Sequence, residues 1–158
     1  MASRSPLFYR TRVLLGGLNE KRQDAVNGFA KKLSVNLLRQ RQTLFSISNK
    51  QIRVCVAVSK NYNRSYQPYW YAYHPTWDEF LKDGKQSFFI LACMDRSEAY
   101  AIPHSDIENI LPLLNTTVRS KGQIYWHVAI TTMSDGDLAI NLSKTGAKIG
   151  LKGYAFPL

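Results

Sequence analysis

The chain is poor in the residues that staple or metallate small folds. Of 158 residues, two are cysteine and three are histidine. Cys55 and Cys93 each lie inside an apolar run and read as free buried thiols of a reduced compartment, so no disulfide framework is expected. His74, His104 and His127 are 30 and 23 residues apart with no close cysteine pair. That spacing does not suit zinc, and no metal ligand is assigned. No apolar run approaches the length of about 18 residues that would suggest a membrane span. "MASRSPLFYR" lacks the apolar core of a signal peptide, so a cytoplasmic, nucleoid or nuclear location is expected, not secretion. The phosphate loops GxxxxGK(S/T) and GxGxxG are absent, as is the GxSxG nucleophile elbow. No cofactor is expected.

Acid is also scarce, and unevenly so. There are 21 Lys and Arg against 11 Asp and Glu, a net charge of +10 and a pI near 9.8. Residues 1–64 hold 13 of those bases and only Glu20 and Asp24 as acids, a net +11. Residues 65–158 hold 8 bases and 9 acids, a net −1. A charge excess confined to one segment is the footprint of a protein that binds a polyanion. Nucleic acid is the expected partner; an anionic membrane or protein surface is the alternative, beside no polyanion at all.

What is present reads as one α+β domain, with a length sufficient for its own core. Residues 1–6 read as a loose tail and "LFYRTRVLL" as strand-like. The glycine pair at 16–17 then breaks the chain ahead of a helix over 18–40. Val26, Phe29, Leu33 and Leu37 form its apolar stripe. On that helix Lys21, Lys32 and Arg39 fall within about 20° of one another, a basic row. "QIRVCVAVSK" alternates as a strand, with Ile52, Val54, Val56 and Val58 on one face and Arg53, Cys55, Ala57 and Ser59 on the other. "YWYAYH" is a second strand and "QSFFILACMD" a central one, buried on both faces. "TWDEF" and "HSDIENIL" each read as a capping box opening a short helix, through Thr76 with Glu79 and Ser105 with Glu108. "QIYWHVAIT", "GDLAINLS" and "AKIGLKGYAF" are further strands. The whole is a central mixed sheet, one long basic helix and two short helices.

The succession "VAVSKNYN", "YWYAYHPTWDEFL", "FFILACMD", "AYAIPHSDI" and "IYWHVAI" resembles DNA-associated domains of restriction-type and mobile-element proteins. Their sheet is similar to the restriction-endonuclease-like fold. In that family a strand ending in an Ile-Pro pair often precedes a helix, as Ile102-Pro103 does here. The resemblance covers roughly residues 50–130 and implies a DNA-associated domain. The family's catalytic Asp with Glu-x-Lys has no convincing counterpart. The only local match is Asp83-Gly84-Lys85, at a helix exit.

Candidate contact residues follow from chemistry. Lys21, Lys32, Arg39 and Arg53 supply charge for phosphates. The polar loop 59–68 adds Lys60 and Arg64 for phosphates, with Asn61, Asn63 and Tyr66 for base or sugar edges. On the aromatic strand Tyr69, Tyr71 and Tyr73 share one face, and Trp70, Ala72 and His74 the other. The tyrosine row, with a hydroxyl on each ring, reads either as a half-wet stacking platform or as a cross-strand ladder. Trp70 beside the small Ala72 reads as the face packed under a helix. The expected function is non-catalytic nucleic-acid binding, with DNA the expected form. Two rivals stand beside it: a Mg²⁺-dependent nuclease using Asp83, Lys85 and a further carboxylate, and a protein-interaction module that meets an acidic partner.

Overall fold

The computed structural model describes residues 6–158, with side chains from Gly17 onward. In chain order the elements are α1 (Pro6–Leu33), β1 (Leu38–Arg39), β2 (Leu44–Ser46), β3 (Ile52–Ser59), β4 (Tyr69–Tyr73), α2 (Pro75–Lys82), β5 (Gln86–Cys93), β6 (Glu98–Pro103), α3 (His104–Ile110), β7 (Thr116–Val118), β8 (Ile124–Thr132), β9 (Leu138–Asn141), β10 (Lys148–Gly150) and β11 (Ala155–Pro157). Short 3-10 turns occupy Leu111–Leu113, where Pro112 stops α3, and Lys152–Tyr154.

These elements build an α+β fold around two sheets. The first is mixed, in the order β1-β2-β3-β5-β6-β11, with β3 and β5 parallel and the other pairs antiparallel. The second is antiparallel, in the order β10-β9-β8-β4, with β7 also paired to β8. The alternation of β3 explains why the first sheet has a core on each face. Val54 and Val56 point to one side and pack with Ala25, Val26 and Phe29 of α1. Cys55 and Ala57 point to the other side, into a core shared with the second sheet, α2 and α3. β5 feeds both cores, so its run of apolar residues is buried on both faces. Burying a side chain such as Phe29, 2% exposed, contributes about 1.5–3 kcal/mol. Both cysteines are buried and free.

Several local expectations are corrected. α1 begins at Pro6, so "LFYRTRVLL" is helical and Gly16-Gly17 does not break it. The reading of residues 1–5 as a tail lies outside the described residues. The helix ends at Leu33, not 40. Ser34 takes a left-handed φ of 55°, and the N–H groups of Ser34 and Val35 return to the Lys31 and Ala30 carbonyls at 3.2 and 3.0 Å. That is a Schellman termination with serine in the position glycine usually fills. Arg39 therefore sits on β1, apart from Lys21 and Lys32.

Neither capping box forms. α2 starts at Pro75, with His74 as N-cap and no side-chain cap bond; α3 starts after Pro103, likewise without one. In α2, Pro75 at N1 sets the helical φ where an N–H is not needed; in α3, Pro103 is the N-cap itself. Glu108, freed from its expected cap, and Asp78 of α2 meet at His104. Asp78 Oδ1 accepts from the Tyr73 hydroxyl at 2.9 Å and lies 2.7 Å from His104 Nε2, while Glu108 Oε1 lies 3.3 Å from His104 Nδ1. This cluster ties β4, α2 and α3 together. No helix among the described residues is long and apolar enough to cross a membrane.

Candidate nucleic-acid interface

The antiparallel register of β4 on β8 decides which aromatics meet solvent. Tyr71 lies opposite Val128 and Tyr73 opposite Trp126, while Ala72 lies opposite His127 and Trp70 opposite Ala129. The odd-numbered tyrosines turn inward, between the sheets. Tyr69, Tyr71 and Tyr73 are 2%, 3% and 0% exposed. Each hydroxyl reaches an acceptor at the margin of the core: Asp95 Oδ1 at 2.7 Å, the Ala92 carbonyl at 2.8 Å and Asp78 Oδ1 at 2.9 Å. Burial and the neighbouring Asp95 push the Tyr69 hydroxyl up to about 12, and burial with Cys93 also raises that of Tyr71. The tyrosine row is thus a wall of the core, with no ring offered to a surface partner. Trp70, expected under a helix, is half-exposed on the outer face.

That outer face is itself aromatic. The Trp70 ring stands edge-on to His127 at 5.4 Å and to Tyr125 at 6.2 Å. Tyr125 and His127, two apart on β8, lie stacked at 5.3 Å with an interplanar angle of 18°. His74 meets Tyr125 at 5.8 Å and Trp77 of α2 at 4.6 Å. Thr117 on β7 hydrogen-bonds His127 Nε2 and fixes that ring. Burial and the nearby Arg119 charge pull the His74 pKa below its ordinary value.

The loop 60–68 folds over one end of this face. Tyr62 N–H donates to the Pro68 carbonyl at 2.9 Å, and Thr131 Oγ1 donates to the Tyr66 carbonyl at 2.6 Å, which fastens the loop to β8. Asn63 holds a left-handed φ of 58°, a conformation asparagine tolerates, and its N–H is bonded by Asn61 Oδ1. Asn61 also donates to Asp95 Oδ2 at 2.9 Å, so its amide is engaged in closing the loop. Lys60 lies over the Tyr62 ring at 5.0 Å. Arg64, Tyr62 and Tyr66 are exposed, Tyr66 at 69%.

Three hollows run along the face. One of about 310 Å³ is lined by Tyr62, Arg64, Gln67, Trp70 and His127. A second, about 210 Å³, shares Tyr62 and Trp70 and adds Arg22, Ala72, His74 and Trp77. A third, about 440 Å³, shares His74 and adds Arg119 and Gln123. Shared lining residues place the three side by side: the first two are walled by Trp70 and Tyr62, the third by His74, and each has one arginine in its lining. Arg119 also lies over Tyr125 at 5.2 Å.

The chain matches no protein-family model, no curated protein and no solved structure.

The remaining expected contacts are spread over the surface. Lys21 donates to the Arg96 carbonyl at 2.8 Å, and with Lys32 it lines a separate groove beside Pro157. Arg39 lies over Phe45 at 5.5 Å. Arg53 is held by the Lys50 and Phe80 carbonyls at 2.8 and 3.2 Å and covers the Phe80 ring. Asp83 closes the end of α2, its N–H on the Glu79 carbonyl at 3.3 Å, and Lys85 is exposed two residues on. Among the described residues no three His, Cys, Asp or Glu side chains gather as a metal-binding group. The structure thus brings Arg64 and the loop beside Trp70, His74, Tyr125, His127, Tyr62 and Arg119, none of which the sequence singled out as contacts. A signal for some of them existed: "YWYAYH" and "IYWHVAI" each alternate aromatics on both parities, so one face had to be aromatic on the outside.

Proposed function

We propose that this chain binds unpaired nucleic acid, DNA in the first instance, along the outer groove of the second sheet and without chemistry of its own. The carrying observation is the run of adjoining hollows on one face: Trp70, Tyr62, His127 and His74 in their walls, with an arginine in each. Bases stack on aromatic faces with little regard to sequence, and a positive groove tracks the phosphates. The hollow at Trp70 and His127 is at the small end of ligand pockets and suits a single base. Arg64 and Arg119, both exposed, meet phosphates. Gln67 adds a polar edge beside the base position.

The test is anisotropy of labelled single-stranded DNA, duplex DNA and RNA across a salt series. Single strands bind more tightly than duplex, and affinity falls steeply with salt as counterions are released. Trp fluorescence is quenched on binding, and Trp70→Leu removes part of that signal with the affinity. A flat salt dependence, or duplex preferred over single strands, rejects the reading. Reproducible Mg²⁺-dependent cutting that is lost in Asp83→Ala or Lys85→Ala would replace it with a nuclease.

A further inference from the structure

Arg22 of α1 is only 8% exposed. Its Nε donates to the Val56 carbonyl at 3.2 Å and its Nη1 to Asn19 Oδ1 at 2.8 Å. Both acceptors are neutral. Among the described residues, no ion pair includes Arg22. A guanidinium has five N–H donors, and these two bonds use two of them. Every sealed side-chain nitrogen or oxygen among the described residues has a partner. Nη2 has no hydrogen-bond partner among the described residues, and Arg22 lines the middle hollow. Burial, and after it the charge of Arg39, lower the Arg22 pKa. A buried cation without a counter-charge is costly, and an anion relieves that cost.

We infer that Arg22 anchors a phosphate oxyanion seated in the middle hollow. Its bonds to Val56 and Asn19 fix the guanidinium plane, so the remaining N–H groups are presented in a set direction. A planar fork of donors matches phosphate oxygens. The hollow is about 210 Å³ and shares Tyr62 and Trp70 as walls with the base-sized hollow. Base and phosphate thus have adjoining places. That the phosphate belongs to a strand rests on the function proposed above; the oxyanion site itself does not.

Two measurements separate these statements. The first uses inorganic phosphate on the whole chain, with chloride at matched ionic strength as control. Phosphate slows modification of Arg22 by an arginine-directed dicarbonyl, read by peptide mass, and leaves the exposed Arg41 unprotected. It also raises the melting temperature of the wild type but not of Arg22→Gln. Equal modification of Arg22 in phosphate and chloride overturns the inference, and needs no variant to fold. The second uses a short single strand. Arg22→Gln weakens it roughly tenfold, as expected for one lost charge-assisted bond, and lowers the salt slope by about one. If Arg22→Gln binds the strand as the wild type does while Arg64→Gln and Arg119→Gln lose affinity, the strand reading stands and the Arg22 anchor is rejected. If phosphate protects Arg22 but no strand binds, the oxyanion site stands with a free phosphate or nucleotide as its source, and the strand reading fails.

Discussion

Trp70 is half-exposed on the outer face of β4, and Tyr71 beside it is sealed, its hydroxyl on the Ala92 carbonyl. Their variants should therefore fail in different ways. Trp70→Leu is expected to melt close to wild type and lose about 1–3 kcal/mol of single-strand affinity. Tyr71→Leu strands a buried carbonyl and leaves a void, losing about 1–3 kcal/mol of stability while the folded fraction keeps its affinity. A melting curve and a binding isotherm for each variant decide the matter; the reverse pattern would put the binding face on the tyrosines. His74 gives a pH prediction. Its folded pKa is lowered by burial and Arg119, so the unfolded chain protonates first as pH falls through about 6.5. His74's contribution to stability is full above that value and is lost between it and the lower folded pKa. Denaturation across this window should show a steeper loss in wild type than in His74→Gln, and identical slopes would contradict the assignment.

Elements follow the sequence where apolar period and burial agree. β3, β5 and the stop at Pro112 were all legible, because alternation, a long apolar run and a missing N–H each act locally. The end of α1 was not. Ser34 adopts a left-handed φ without glycine, and Leu37 continues the apolar period although it packs from beyond the helix. The capping boxes were misread because both helices start two residues earlier, at Pro75 and just after Pro103, and Glu108 was drawn to His104 instead of a cap. The outer groove was hidden for a similar reason. Strand parity divides the aromatics into two faces, but only the pairing of β4 with β8 tells which face is covered. Gly28 tests the contact between elements. A methyl there would lie 2.8 Å from the Pro157 carbonyl. Backbone cannot step aside, so Gly28→Ala should lose about 1–3 kcal/mol by displacement, exceeding the gain of about 1 kcal/mol in helix propensity. Chemical denaturation checks the sign; a stabilised Gly28→Ala would mean that α1 and β11 adjust freely.

Across the whole molecule, much of the charge excess lies off the groove. Lys31 and Lys32 are exposed on the last turn of α1, while Arg64 and Arg119 stand at the aromatic face. Remote charge of one sign raises the rate of encounter with a polyanion more than it holds the complex together. Reversing both lysines, Lys31→Glu with Lys32→Glu, should slow association at low salt and leave dissociation nearly unchanged. Stopped-flow measurement separates the two rates. A change mainly in dissociation would place these lysines in contact with the ligand.

β11 pairs with β6 and brings Phe156 to 5.2 Å from Phe29 of α1. The partners come from near opposite ends of the sequence. During synthesis, α1 is made first, and β3 and β5 later cover part of its apolar stripe. The rest stays bare until Phe156 has been added and has cleared the ribosome. At roughly 5–20 residues per second that interval lasts several seconds. The nascent chain therefore carries an adhesive surface that the finished protein does not, and its yield in a cell depends on what shields that surface before the last strand arrives.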